Sequence, residues 1–227
     1  MSQKVTTQQE RIRGMGLLFV CLMALGMGHS LFFAIFPPLA RDLGLSEVQA
    51  STIFTLSAVL WVLMSPFWGR RSDVWGRKPV ILLGLAVFAL GSFVAANADS
   101  MVMMIVGRIL QGAGAIAGAI MALATDVSRE SQRAKVLAII GIAIGFSFYL
   151  AVILGPLIAN SYGLAGVFGI TGLLAILCMP LVKWVVPNGV QLSSGDTLPQ
   201  KDQLKRLVFS SQLWRLNISV MILHMMI

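Results

Sequence analysis

The sequence predicts an all-α membrane protein whose backbone crosses the bilayer six times. Three observations predict it. Of the 227 residues, 57% are apolar and only 11% are charged. Windows almost free of charge recur at about the 20 residues that a helix needs to cross about 30 Å of hydrocarbon. Lys and Arg, finally, gather in alternate connecting segments. An average soluble domain carries about 25% charged residues, so lipid is the expected solvent for most of this chain and a soluble enzyme is excluded. Backbone groups in lipid must bond to one another. Windows this long and apolar are helices rather than barrel strands, which run about ten residues with alternating polarity.

The first window runs from Gly14 to Ala40, with Pro37 and Pro38 near its end, where lost backbone bonds cost least. It is too long for a signal-peptide core and lacks a small-residue cleavage site, so it stays as a helix. The second extends from Val48 to Gly69, and Ser46 with Gln49 fits a capping box that opens it. The third covers Pro79 to Ala98, and the fourth Ser100 to Thr125, interrupted by Arg108. The fifth, Val136 to Val182, has double length and is divided by Asn160, Ser161, Tyr162 and Gly163, a turn cluster that predicts a tight hairpin. The expected organisation is a tail over 1–13, a six-helix domain over 14–186 and a central loop over 187–215. Residues 216–227 then form the truncated start of a seventh helix. Within the loop, Leu204 to Trp214 mixes Lys and Arg with apolar residues and reads as an interfacial amphipathic segment.

Orientation follows from Lys and Arg in short loops. Lys4, Arg11 and Arg13 precede the first window; Arg70, Arg71, Arg77 and Lys78 separate the second and third; Arg129, Arg133 and Lys135 separate the fourth and fifth. Lys183, Lys201, Lys205, Arg206 and Arg215 follow the sixth crossing. The opposite loops hold Arg41 beside Asp42, Glu47 and Asp99, so both ends of the chain are expected in the cytoplasm. The net charge of +8 therefore calls for no nucleic-acid partner. Small residues four apart, Gly114 with Gly118 and Gly141 with Gly145, predict close helix contacts, or alternatively points where helices slide. Cys21 and Cys178 fall within windows and read as packing residues, with no disulfide framework. Nothing groups a nucleophile with a base, a set of metal ligands or a phosphate-cradling loop, so no catalytic residue, metal or cofactor is expected.

The segment Gly69-Arg70-Arg71-Ser72-Asp73-Val74-Trp75-Gly76-Arg77-Lys78 resembles the signature loop of the major facilitator superfamily. Gly69 and Gly76 would permit a tight reversal, Asp73 would face guanidinium groups or helix N-termini, and Arg77 and Lys78 would hold the loop inside. The resemblance implies the N-terminal six-helix bundle of that fold, a 3+3 inverted repeat, with this loop as a conformational latch against a second half of the transporter. Asp126, Arg129 and Arg133 look like its companion loop. Arg108-Ile109-Leu110-Gln111-Gly112 resembles an element of proton-coupled facilitators. Gly155-Pro156 resembles the helix-five element of the drug:proton antiporter branch, with Ala159 and Asn160 where that branch carries glycines. From Gly107 through Pro187 the wording is similar to the YajR-like group of efflux transporters.

Three-residue spacing puts Arg108 and Gln111 on one helical face. An arginine in hydrocarbon costs at least about 2.5 kcal/mol, so Arg108 is expected to face an aqueous cavity or a partner rather than snorkel outward. No window contains Asp or Glu. His29 lies about 22 Å along its helix from Gly14, and Arg108 about 10 Å from the outer end at Met101. They are expected to face each other at similar depth, so that movement apart would let His29 take a proton; a neutral histidine bonded to a backbone carbonyl is the alternative. Met101, Met103, Met104 and Met121 are either core packing or an adaptable apolar lining. The implied activity is proton-coupled export of small amphipathic compounds across an inner membrane. Metabolite symport or facilitated diffusion, or a self-contained six-helix channel or scaffold, are the alternatives.

Overall fold

The computed structural model describes residues 46–114, 116–126, 128, 132–186 and 210–225, together with residues 16, 19–21, 23, 26, 27, 30–32, 36, 37 and 40 of a leading helical stretch. The elements that follow that stretch are α1 (Glu47–Trp75), α2 (Arg77–Ala96), α3 (Met101–Ala113), α4 (Ala117–Asp126) and α5 (Arg133–Pro180). A π-turn (Leu181–Val185) closes α5, and α6 (Ser211–Met225) comes last. Four stretches are long and apolar enough to cross a membrane: Glu47–Trp75, Arg77–Ala96, Met101–Asp126 and Arg133–Val185. This is a multi-pass, all-helical membrane protein. Met1–Gln191 forms one compact unit and Leu192–Ile227 another, which contains α6.

Helix starts follow local chemistry. The Ser46 backbone N–H donates to Gln49 Oε1 at 2.9 Å while the Gln49 N–H donates back to Ser46 Oγ at 3.3 Å. The capping box is therefore complete. Ser100 caps α3 by accepting from the Met103 N–H. One expectation is corrected here. Gly69 does not take part in a reversal, because α1 runs on for six more residues to Trp75. The reversal falls on Gly76, whose φ of 92° suits a residue without a Cβ.

The predicted hairpin between the two halves of the double-length window is a reversal at Gly163, where φ is 62° and ψ −160° inside α5. Ser147 Oγ donates to the Met23 carbonyl, and the Cys21 thiol lies 3.9 Å from the Cys178 carbonyl. On a straight helix Ser147 and Cys178 would stand about 46 Å apart. Their contact with near-neighbours of the leading stretch requires the chain to double back, and Gly163 lies almost midway between them.

Two large apolar layers and a smaller cluster of Leu31, Ala151 and Val167 fill the bundle. At the Asp73 end, Trp68, Ile81, Leu85, Ile120, Leu123 and Val182 belong to one buried cluster. At the other, Phe32, Phe36, Ile53, Met104 and Phe168 form a second. Met101 packs against the second cluster and Met121 against the first, so both act as packing residues. The stretch Met101–Asp126 breaks between α3 and α4. There Trp68 Nε1 donates to the Ala113 carbonyl at 2.5 Å, replacing a helix bond that the break removes.

Close helix contact depends on glycines, but not on all the expected ones. A Cβ on Gly114 would come within 2.7 Å of the Gly84 carbonyl, and one on Gly91 within 2.5 Å of the Gln111 nitrogen. Gly118 has only ordinary contact, with Ser65 Oγ at 3.8 Å, and Gly141 and Gly145 have nothing within 4 Å. The expected close contact at the Gly141–Gly145 pair is absent among the described residues, because that face of α5 has no neighbour there. Gly91→Ala is expected to lower stability by about 2 kcal/mol or more, since backbone rather than a flexible side chain must yield. Gly145→Ala should be neutral or raise it by up to about 1 kcal/mol through helix propensity. Thermal unfolding of both variants in one detergent checks the contrast.

Candidate transport site

Arg108 lies in the polar layer between the two apolar clusters and is 2% exposed. It therefore faces partners rather than an aqueous cavity. Its Nη1 donates to Gln111 Oε1 at 2.7 Å, which realises the shared helical face read from the spacing. Gln111 Nε2 donates to Ser92 Oγ at 2.7 Å, and Ser92 Oγ donates on to the Phe88 carbonyl at 2.8 Å. The chain of bonds thus links α3 to α2 and ends on backbone. The Phe32 ring of the leading stretch lies 3.8 Å from the guanidinium carbon, and a π-face on a desolvated cation is worth up to about 2 kcal/mol. Phe36, Phe54 and Phe168 surround Phe32 with ring centroids 4.5, 4.8 and 5.4 Å away. His29 lies outside the described residues.

A second cluster stands where α1 and α4 end and α2 begins. Arg77 Nε donates to Asp126 Oδ2 at 2.9 Å, and Arg77 Nη1 pairs with Asp73 Oδ1 and donates to Ser72 Oγ at 2.7 Å. Ser72 Oγ donates to the Gly69 carbonyl. Asp73 and Asp126, far apart in sequence, thus converge on one guanidinium, with Gly76 supplying the turn between α1 and α2. Lys78 Nζ reaches the Lys183 carbonyl at 3.4 Å. Arg133 opens α5, and Arg129 lies outside the described residues. Gly155 is buried within α5, and Pro156 follows inside the same helix without ending it.

Neither cluster gathers an acid with a base around a reactive carbon, and among the described residues none form a group of metal ligands. Sequence reasoning missed Ser92, Phe32 and Ser72. The first was legible as a lone hydroxyl in an apolar window; the phenylalanine had no distinguishing signal among twelve.

A family model of the Major Facilitator Superfamily matches residues 18–227. The chain belongs to this superfamily. Its members are transporters rather than enzymes. The "Inner membrane transport protein YajR" of Escherichia coli (strain K12) is 41% identical over 150 residues, 66% of this chain and 33% of that protein. The "Multidrug resistance protein MdtL" of Klebsiella pneumoniae is 28% identical over 205 residues, 85% of this chain and 52% of that protein. The crystal structure of the human organic anion transporter MFSD10 (TETRAN) superposes with a TM-score of 0.64 at 22% identity. That match covers 83% of this chain and 49% of that one, a likeness in fold. The matched region thus spans from a third to about half the length of these major facilitator relatives.

Proposed function

We propose that this major facilitator is a secondary active transporter that exports small amphipathic compounds by alternating access, driven by proton antiport. It is an integral protein of the inner membrane with a cytoplasmic N-terminus. The observation that carries the reading is the buried Arg108–Gln111–Ser92 layer. A polar network in the middle of an apolar bundle is costly, and such residues in membrane proteins mark substrate or ion pathways. The names of the relatives, an inner membrane transport protein and multidrug resistance proteins, support export.

In this reading the windows form six crossings in a 3+3 inverted repeat, and the Asp73–Arg77–Asp126 cluster is the cytoplasmic latch, with Gly69 in the last turns of α1, Gly76 at the reversal, Lys78 in the first turn of α2, and Arg129 and Arg133 in its companion segment. The latch works against a second six-helix half. The open face of α5 around Gly141, Gly145 and Pro156 is available to that half. His29, three positions before Phe32, is the candidate proton carrier. Uncoupled or symport movement of a metabolite is the second reading, favoured by the lack of Asp and Glu in the apolar windows.

Proteoliposomes of the full-length transporter with an imposed pH gradient separate the two. Antiport predicts that adding substrate collapses the gradient, read by an entrapped pH dye, and that His29→Gln slows this at least about tenfold while substrate still exchanges. Substrate movement with no proton flux in the unmodified protein sinks antiport; unchanged flux in His29→Gln removes that residue from the pathway.

A further inference from the structure

Two buried side-chain atoms among the described residues have no hydrogen-bond partner: Arg108 Nε and Ser57 Oγ. Ser57 is 1% exposed and Arg108 2%, so neither meets water. They belong to one seam. Gly112 stands one turn after Arg108 on the same face of α3. A Cβ on Gly112 would come within 2.5 Å of the Ser57 carbonyl, so α1 presses against α3 at this level. Phe54, three residues before Ser57 on α1, packs its ring 4.8 Å from Phe32, the ring that covers one face of the guanidinium. Gln111 occupies Nη1, which leaves Nε to an acceptor approaching in the guanidinium plane.

The charge has no counter-ion among the described residues. Gln111 offers a neutral amide oxygen and Phe32 a ring face. The carboxylates among the described residues are Glu47, Asp73, Asp99 and Asp126, all at helix ends or in turns, and Arg77 holds two of them. A guanidinium enclosed in an apolar bundle, with one N–H aimed at nothing and a hydroxyl in the same seam also unmatched, is a site lacking a negatively charged acceptor.

We propose that Arg108 Nε and Ser57 Oγ together hold a monovalent anion, either a chloride ion or the carboxylate of a transported compound. The carboxylate arm rests on the transport reading above and narrows it to amphipathic compounds with an anionic end. Ser57 sets the specificity: its hydroxyl donates to the anion while Arg108 supplies the charge.

The test uses the full-length transporter in nanodiscs, thermally unfolded in a buffer whose anion is sulfate and titrated separately with sodium chloride and sodium propionate. One or both should raise Tm by a saturable few degrees, as binding to the native state alone requires. Ser57→Ala should weaken the half-saturating concentration about tenfold, the effect of one hydrogen bond to a charged group. Without added anion it should be at least as stable as the unmodified protein, because an unmatched hydroxyl has been removed. The weakened half-saturation, unlike the stability, would not follow if Ser57 merely packed. Arg108→Lys, which keeps the charge without the in-plane N–H, should lose the response. A chloride response assigns an inorganic ion, a propionate response a substrate carboxylate. A flat titration with both salts, or responses unchanged in both variants, overturns the proposal. Export of an anionic and of a cationic amphipathic dye, measured in parallel, keeps the two readings apart: export of either without any anion response removes the anion site alone, and an anion response without export of either dye removes the transport reading alone.

Discussion

Replacing Arg108 with alanine is expected to abolish transport, by a factor of about 100 or more, while the protein still inserts and folds. The two halves of that statement have different origins. Stability changes little because opposing effects nearly cancel. The substitution removes a charge whose burial costs at least about 2.5 kcal/mol in a bilayer. It also forfeits a bond to Gln111 worth about 1.5–3 kcal/mol and a ring contact worth up to about 2 kcal/mol. Function has no such compensation. Gln111 Oε1 loses its donor, the layer between the two apolar clusters loses its charge, and nothing nearby replaces it. Arg108→Lys tests whether charge alone suffices. An ammonium cannot bond to Gln111 and stack on Phe32 in the plane that a guanidinium adopts, so at most partial recovery is expected. Retained monodispersity by size exclusion beside lost uptake in vesicles would bear this out; normal uptake by Arg108→Ala would exclude the residue from the site.

Arg77→Ala is expected to be the most damaging change at the Asp73 end, worse than Asp73→Asn or Asp126→Asn alone. A single guanidinium serves both carboxylates and Ser72, so its removal leaves two partly buried like charges facing one another. Either asparagine variant leaves one ion pair intact. The carboxylates are 28% and 23% exposed, which weakens each pair through solvent screening, and a combined loss of about 1–3 kcal/mol follows. Arg77→Lys should not rescue, because an ammonium cannot bond through Nε and Nη1 at once. A double-mutant cycle on Asp73 and Asp126 with Arg77 present should give non-additive losses in Tm, since both act through one partner. Strict additivity would mean that the cluster is incidental.

Features governed by one overriding physical constraint were legible in the sequence. Charge-poor windows located the apolar stretches because hydrocarbon tolerates little else, and Ser46 with Gln49 located a helix start because a capping box is a local event. The Arg108–Gln111 bond was legible because it needs only one helix. Ser92 and Phe32 were not, since each reaches the Arg108 layer from another segment, and a sequence does not state which faces of which helices meet. The reading of Gly69 failed for a related reason. A glycine permits a turn without requiring one, and a helix carrying Arg70, Arg71 and Asp73 continues as long as its ends can reach water. The Gly141–Gly145 pair was equally ambiguous: small residues four apart signal a close neighbour only when a neighbour is present.

The bond from Gln111 to Ser92 has a consequence for how the chain enters the bilayer. Segments emerge from the ribosome in order, and α3 carries a charge that resists leaving an aqueous channel for lipid. The hydroxyl that anchors its polar face is on α2, synthesised just before it and joined through the short turn at Asn97–Ser100. The partner of Gln111 thus lies in the helix made immediately before it, and the bond needs no segment later in the chain than α3.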